Sequence, residues 1–346
     1  MTHPSIGHAV LDEAQTPDAV GARSPISVSD SIAYCHQMTR DSARNFYYGL
    51  RLTPEPKRSA LYVVYAFMRA CDDLVDEPTT PHAQPSGARG CHEPTQERLA
   101  RIERFRRQMQ RVLIRREGFD AEGEDPLLAG RADSWANIWP GFRHVMQQYP
   151  INPDDLHAML DGQRCDVLQT RYETFEQLYG YCYKVASVVG LVCISVWGYT
   201  GDESTRKLAE ARGVALQLTN ILRDVVEDAG RDRVYLPSED LRSHGLNPDE
   251  FTDHLLTGRV DARFDQMIMA QVDRARRYYE QSADLERYLD PTCRATSWAM
   301  MRIYRGLLER IARSPRRLLR GRVRLHAIEK IGIALCALRW RVWRRG

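Results

Sequence analysis

KRSALYVVYAFMRACDDLVDE, residues 57–77, and QLTNILRDVVEDAGRDRVYLP, residues 217–237, decide the fold and point to the chemistry. In the first stretch Leu61, Val64, Tyr65 and Met68 form an apolar stripe at helical spacing, and Pro78 follows as a stop. The second is apolar at Leu216, Leu218, Ile221 and Leu222. Each stretch carries an aspartate pair at i, i+4: Asp72 with Asp76, and Asp224 with Asp228. On a helix both carboxylates of such a pair leave one face, about one turn apart. Two facing acidic faces would hold a hard cation such as Mg2+, which keeps positions open for substrate phosphates.

Spacing alone is weak evidence, because Asp261 with Asp265 and Asp228 with Asp232 share it. The neighbours separate the informative pairs from the rest. Tyr65, Arg69, Asp72 and Asp76 step by four, three and four along one face of a helix that is otherwise apolar. A guanidinium one turn from a metal-binding carboxylate can grip phosphate oxygens in bidentate fashion. Gln217, Asn220, Asp224 and Asp228 make a second polar stripe, with Arg223 beside it and Tyr235 just beyond. Charge on a buried helix needs partners, so polar stripes of this kind indicate a ligand site. A diphosphate ionises as a leaving group once its charge is neutralised, and a cation bound by the aspartates would do this. The resulting carbocation needs a dry pocket with aromatic and apolar walls. Tyr65, Tyr181 and Tyr304 are candidates for that lining, together with Phe46, Val185, Val189 and Leu216.

Outward from these stretches the chain reads as helix after helix, from Ile32 to about Ala312. No period-2 run, hairpin dipeptide or βαβ rhythm calls for a strand, and neither GxGxxG nor a Walker sequence occurs. The fold class expected is all-α: one domain of about ten helices around a central cavity. Residues 1–30 lack periodicity and read as a disordered tail, and residues 78–95 read as a Pro- and Gly-rich loop. The arginines of residues 95–117 read as a solvated helix face.

The 346 residues carry a net charge of only +3, so the molecule is no polycation and nucleic acid is not an expected partner. Eight cysteines without CxxC or zinc-site spacing read as free thiols in a reducing cytosol. No signal peptide is visible, and no uninterrupted apolar run reaches the about 18 residues of a spanning helix. Residues 313–346 are rich in arginine, with Glu329 the one acid, and end in RWRVWRRG. Arginines interleaved with Trp340 and Trp343 suggest a helix lying on an anionic membrane surface. A cytoplasmic location is expected, with peripheral attachment to the inner face of the cell membrane through this segment.

YAFMRACDDLVDE, YCYKVASVVG and LTNILRDVVEDAGRDRVYLP, in this order and at this separation, resemble the squalene/phytoene synthase family. The resemblance covers roughly residues 32–312. It implies an isoprenoid synthase fold and head-to-head condensation of two prenyl diphosphates, farnesyl or geranylgeranyl, with Mg2+ or Mn2+. The product would be presqualene diphosphate, squalene or phytoene, and NADPH would be needed only for squalene. By the same resemblance Asp72, Asp76, Asn220, Asp224 and Asp228 are the metal residues, and Tyr235 is catalytic. Tyr65, Arg69, Gln217, Asn220 and Arg223 would contact diphosphate, as would Asn45, which stands where the family usually has Ser. Phe46 and Tyr304 fall among the aromatics near the reacting chains.

Two other readings stay open at this level. DDLVD also satisfies the DDxxD of head-to-tail elongating synthases and terpene cyclases. A membrane-associated assembly factor that kept the fold without activity is the other. Mg2+-dependent release of diphosphate separates an enzyme from the second, and product analysis separates the enzymes.

Overall fold

A computed structural model describes residues 26–43, 47, 49–75, 94–114 and 133–343. Asn45, Phe46, Asp76, Cys91 and most of the expected loop at 78–95 lie outside the described residues, as does the expected tail as far as residue 25. Among the described residues the secondary structure is helical, and β pairing is confined to two isolated bridges, Arg171 with Val234 and Tyr199 with Leu289.

The principal helices are α1 (Val28–Ser42), α2 (Lys57–Asp73), α3 (Thr95–Ile114), α4 (Trp139–Gln148) and α5 (Pro153–Leu168). They continue as α6 (Phe175–Trp197), α7 (Glu203–Ala229), α8 (Ser238–Ser243), α9 (Pro248–Thr257), α10 (Ala262–Gln281), α11 (Arg294–Arg313) and α12 (Ala327–Trp343). Their starts follow capping rules. Ser27, Asn152, Thr174, Asp202, Asn247 and Asp261 each accept an orphan backbone N–H of the first turn. Asp261 is thus a helix cap, and Asp265 pairs with Arg316, so neither joins a cation site.

Two large apolar clusters form the core, and a small third one packs Ala337 of α12 against Ala295 and Ala299 of α11. One gathers α2, α3 and α4 around Phe67, Phe105, Trp139 and Phe142, with Phe67 and Phe142 stacked at 4.4 Å. The other gathers α7, α10 and α11 around Leu222, Phe264 and Leu308, and takes in Leu318, Val323 and Leu325 from the segment after α11. Helix α6 runs between them and carries a π-helical turn at Tyr183–Ser187. By length and composition α6 could cross a bilayer, but 61% of its most apolar window is buried in the molecule. It is a core helix. Its π turn lies hard against α7: a Cβ on Gly213 would come within 2.4 Å of the Ser187 Cα. Only glycine allows this approach, and it brings α6 and α7 together as adjoining walls of one cavity.

The cysteines described, at 35, 71, 165, 182, 193, 293 and 336, are all free thiols.

Candidate active site

A cavity of about 330 Å3 lies between the two core clusters and is walled by α2, α5, α6, α7 and α11. The two sequence stretches meet there. Helix α2 contributes Tyr65, Arg69 and Asp72, and α7 contributes Leu216, Gln217 and Asn220. Val185 and Val189 of α6 and Tyr304 of α11 complete the expected wall. Tyr181 is not part of it.

On α2, Arg69 pairs with Asp73 at 2.7 Å, one turn on, rather than serving Asp72 alone. Asp72 accepts a hydrogen bond from Gln163 Nε2 of α5 at 2.8 Å. Gln163 was not foreseen from sequence. Its only signal is a polar side chain inside DGQRCD on a helix that is largely buried.

On α7, the Asp224 carboxylate lies between two guanidiniums. Arg223 donates Nε to Oδ1 at 2.8 Å and its terminal nitrogen to Oδ2 at 2.5 Å. Arg322, from the segment after α11, reaches the same two oxygens at 2.7 and 2.9 Å. Among the described residues no guanidinium is hydrogen-bonded to the Asp228 carboxylate, and Arg233 and Arg231 offset only part of its cost. Burial, and then the charge of Asp224, push its carboxyl up to about 7. Tyr304 is buried against this helix. Burial raises its pKa, while Arg223 and hydrogen bonds with Arg223 and Asn220 oppose the rise.

A third group lies beside Asp228. Tyr172, Tyr181 and Tyr235 pack as a trio with ring centroids 5.2 to 5.9 Å apart. The Tyr181 and Tyr235 hydroxyls donate to the same Asp166 oxygen at 2.9 and 3.1 Å. Arg233 donates to the Asp166 carbonyl at 3.0 Å, tying the loop after α7 to α5. The Tyr172 hydroxyl is buried without a hydrogen-bond partner. Asp166 and Tyr172 were missed in the sequence because they share no stripe: their side chains meet only when α5 and the loop after α7 come together.

The donor set suits a hard divalent cation. The Asn220 Oδ1 is buried and has no hydrogen-bond partner, which is costly unless something fills the gap. Asp228 is a half-buried carboxylate beside a second carboxylate, an arrangement that a cation would relieve. Among the described residues no group of three or more His, Cys, Asp or Glu forms a ready cage.

Residues 39–329 match the squalene/phytoene synthase family. The chain belongs to that family. It is 34% identical over 299 residues to the 15-cis-phytoene synthase of Synechococcus elongatus, covering 83% of this chain and 86% of the relative. It is 31% identical to the chloroplastic phytoene synthase of Daucus carota, covering 88% and 69%. Among solved structures it is similar to a dehydrosqualene synthase at TM-score 0.70 and 23% identity, over 90% of this chain and 97% of that one. A squalene synthase of Alicyclobacillus acidocaldarius superposes at TM-score 0.66 over 85% and 96%, also at 23% identity. The fold is the all-α isoprenoid synthase fold. This squalene/phytoene synthase family member is a prenyltransferase of isoprenoid biosynthesis that joins prenyl diphosphates head to head. The head-to-tail and non-catalytic readings drop out.

Proposed function

We propose that the chain condenses two geranylgeranyl diphosphates to phytoene through a cyclopropyl-carbinyl diphosphate. The observation that carries the reading is the single cavity on which the Arg69–Asp72 face and the Gln217–Asn220 face converge. The curated relatives at 31–34% identity cited above, both phytoene synthases, favour the C20 substrate over C15.

Asp72, Asn220, Asp224 and Asp228 would hold Mg2+ or Mn2+, with Asp76 from beyond the described residues. Bound there, the cation neutralises the departing diphosphate. Arg69, Arg223 and Arg322 present guanidiniums suited to phosphate oxygens. Gln163 orients Asp72 through its 2.8 Å bond. The first diphosphate leaves, and its allylic cation alkylates the C2–C3 double bond of the second substrate. Loss of a proton closes the cyclopropane. The second diphosphate then leaves, the skeleton rearranges, and loss of a further proton gives phytoene without a hydride donor. Val185, Val189 and Leu216 keep water from the cation, while the faces of Tyr65 and Tyr304 stabilise it. The Asp166 carboxylate, which holds the Tyr181 and Tyr235 hydroxyls, adds negative potential beside Asp228.

We infer also that the protein is cytoplasmic and attaches peripherally to an anionic membrane through α12. Ile328, Ile331 and Leu335 lie on one face of that helix and are 58 to 82% exposed. Arg316, Arg317, Arg320 and Arg324 are exposed just before it. An apolar face flanked by basic residues suits an anionic interface, and it would lie where a very apolar product must leave.

The test is incubation of the purified protein with C15 or C20 prenyl diphosphate and Mg2+, with and without NADPH. Phytoene from the C20 substrate, independent of NADPH, is expected. Squalene or presqualene diphosphate formed in preference from C15 would overturn the C20 reading.

A further inference from the structure

The cavity has two unlike ends. At one end Asp72 is exposed and Arg69, Gln217 and Asn220 are half-buried, so this end opens to solvent. At the other end Leu61, Ile194, Trp197, Ala209 and Leu285 are all buried. From Asp72 back to Leu61 along α2, or from Asn220 back to Ala209 along α7, the wall runs about 16 Å at the helical rise. A chain whose diphosphate lies at the polar end therefore points its tail at Trp197.

Trp197 is the last residue of α6, which ends there because Gly198 takes φ 81°. Its indole is pinned. The Nε1–H donates to Thr53 Oγ1 at 3.3 Å, and Thr53 is hydrogen-bonded in turn to Thr296 at 3.0 Å. The Trp197 carbonyl accepts from Lys57 Nζ at 2.5 Å, and the same ammonium pairs with Asp290 at 2.8 Å. The neighbouring polar groups are spent on one another. Arg212 gives both terminal nitrogens to Glu286, and Ser297 donates to that carboxylate at 2.7 Å. Among the described residues the polar groups named here are taken up by one another rather than offered to a ligand.

We propose that Trp197 is the floor of the cavity and sets the longest prenyl chain the protein accepts. This rests on the reading that the cavity takes the prenyl chains. An open apolar slot discriminates weakly between chain lengths, because a longer chain simply extends along it. A rigid wall does better, because an over-long chain must displace packed atoms. Cys193, one turn back along α6 and on the same wall, is where added bulk would raise the floor.

The test compares kcat/KM for C15, C20 and C25 prenyl diphosphates in the full chain, with thermal melting as a check of folding. Trp197→Ala is expected to raise the C25 to C20 ratio by about tenfold or more, and Cys193→Phe to raise the C15 to C20 ratio by a similar factor. Trp197→Phe, the milder cut, replaces alanine if that variant unfolds, and is expected to move the ratio the same way by less. Ratios within about twofold of the parent in the folded Trp197 variant or in Cys193→Phe overturn the floor assignment. Binding of unreactive thio-diphosphate analogues of the three lengths reads the floor without turnover. A parent protein that makes no head-to-head product, yet shows these binding shifts, would sink the proposed reaction and leave the floor standing.

Discussion

Arg322 and Asp224 lie 98 residues apart in sequence, and their side chains meet at 2.7 Å. The contact draws the segment after α11 back over the second aspartate face. With Arg223 on its other side, the Asp224 carboxylate has two guanidinium partners. A diphosphate–cation pair entering the site would take over both roles, the cation meeting the carboxylate and the phosphates meeting the guanidiniums. Arg322→Ala should raise KM for the prenyl diphosphate by about tenfold with a smaller fall in kcat, the pattern of a lost binding contact. Arg322→Lys should recover part of the loss. Steady-state kinetics of the two variants decide this, and an unchanged KM in the alanine variant removes Arg322 from the site.

Asp72 and Asp224 reach the site from different helices, so losing either should leave a cation held from one side only. Each alanine variant is expected to lose about 1000-fold or more in kcat, the equivalent of about 4 kcal/mol of transition-state stabilisation. Melting of Asp72→Ala should change little, since Asp72 is exposed, whereas Asp224→Ala leaves Arg223 and Arg322 without their carboxylate and should melt lower. Mn2+ binding followed by paramagnetic resonance should weaken in both variants. Near-parental turnover in either one refutes the metal assignment.

Asp166 holds two hydroxyls with one oxygen atom. Asp166→Asn keeps the shape but removes the charge, and the amide can present its NH2 to the tyrosines in place of an acceptor oxygen. The expected result is a fall of about 10- to 100-fold in kcat with KM within about threefold, because the Asp166 charge acts beside Asp228 and Asp166 is not part of the cavity wall that Arg69 lines. A rise in KM alone would make Asp166 a binding residue instead.

What the sequence could reveal follows from the range of the interactions. Helices α2 and α7 were legible because a periodic stripe is a local signal, and Tyr65, Arg69, Asp72, Gln217 and Asn220 line the cavity, whereas Asp224 and Asp228, the next turns of the α7 stripe, lie outside its lining. Gln163, Asp166, Tyr172 and Arg322 were not legible. Each acts through a partner at least 63 residues away in sequence or through burial, as with Arg322 and Asp224 or Arg233 and Asp166. Tyr181 shows the opposite error. It was a candidate for the lining, but the π turn that begins at Tyr183 shifts the face, and the ring packs on Tyr235 instead.

The same π turn makes a stability prediction. Alanine at an exposed mid-helix glycine is normally favourable by about 1 kcal/mol. At Gly213 the new methyl would meet the Ser187 backbone at 2.4 to 2.6 Å, and a backbone atom cannot swing away. Gly213→Ala should therefore destabilise the protein by about 3 kcal/mol and lower turnover by parting α6 from α7. Urea denaturation measures the first effect. A variant as stable as the parent would show that the two helices can separate without cost.

The membrane reading has a truncation test, and the structure sets where to cut. Ending the chain at Ser314 would remove Arg322 from Asp224 and strip Leu318, Val323 and Leu325 from the second core, so lost binding there could reflect a damaged protein. Ending it at His326 keeps all four residues and removes α12 with its exposed Ile328, Ile331 and Leu335. The shortened chain should retain turnover of detergent-dispersed substrate within about threefold and cease to sediment with vesicles rich in anionic lipid. The full chain should sediment with those vesicles, bind neutral ones poorly and come off as salt is raised, since surface charge attraction is screened over a Debye length of about 10 Å at 0.1 M. Equal sedimentation of the two chains would place membrane contact elsewhere on the molecule, and salt-insensitive binding of the full chain would mean that the arginines before α12 contribute little beside its apolar face.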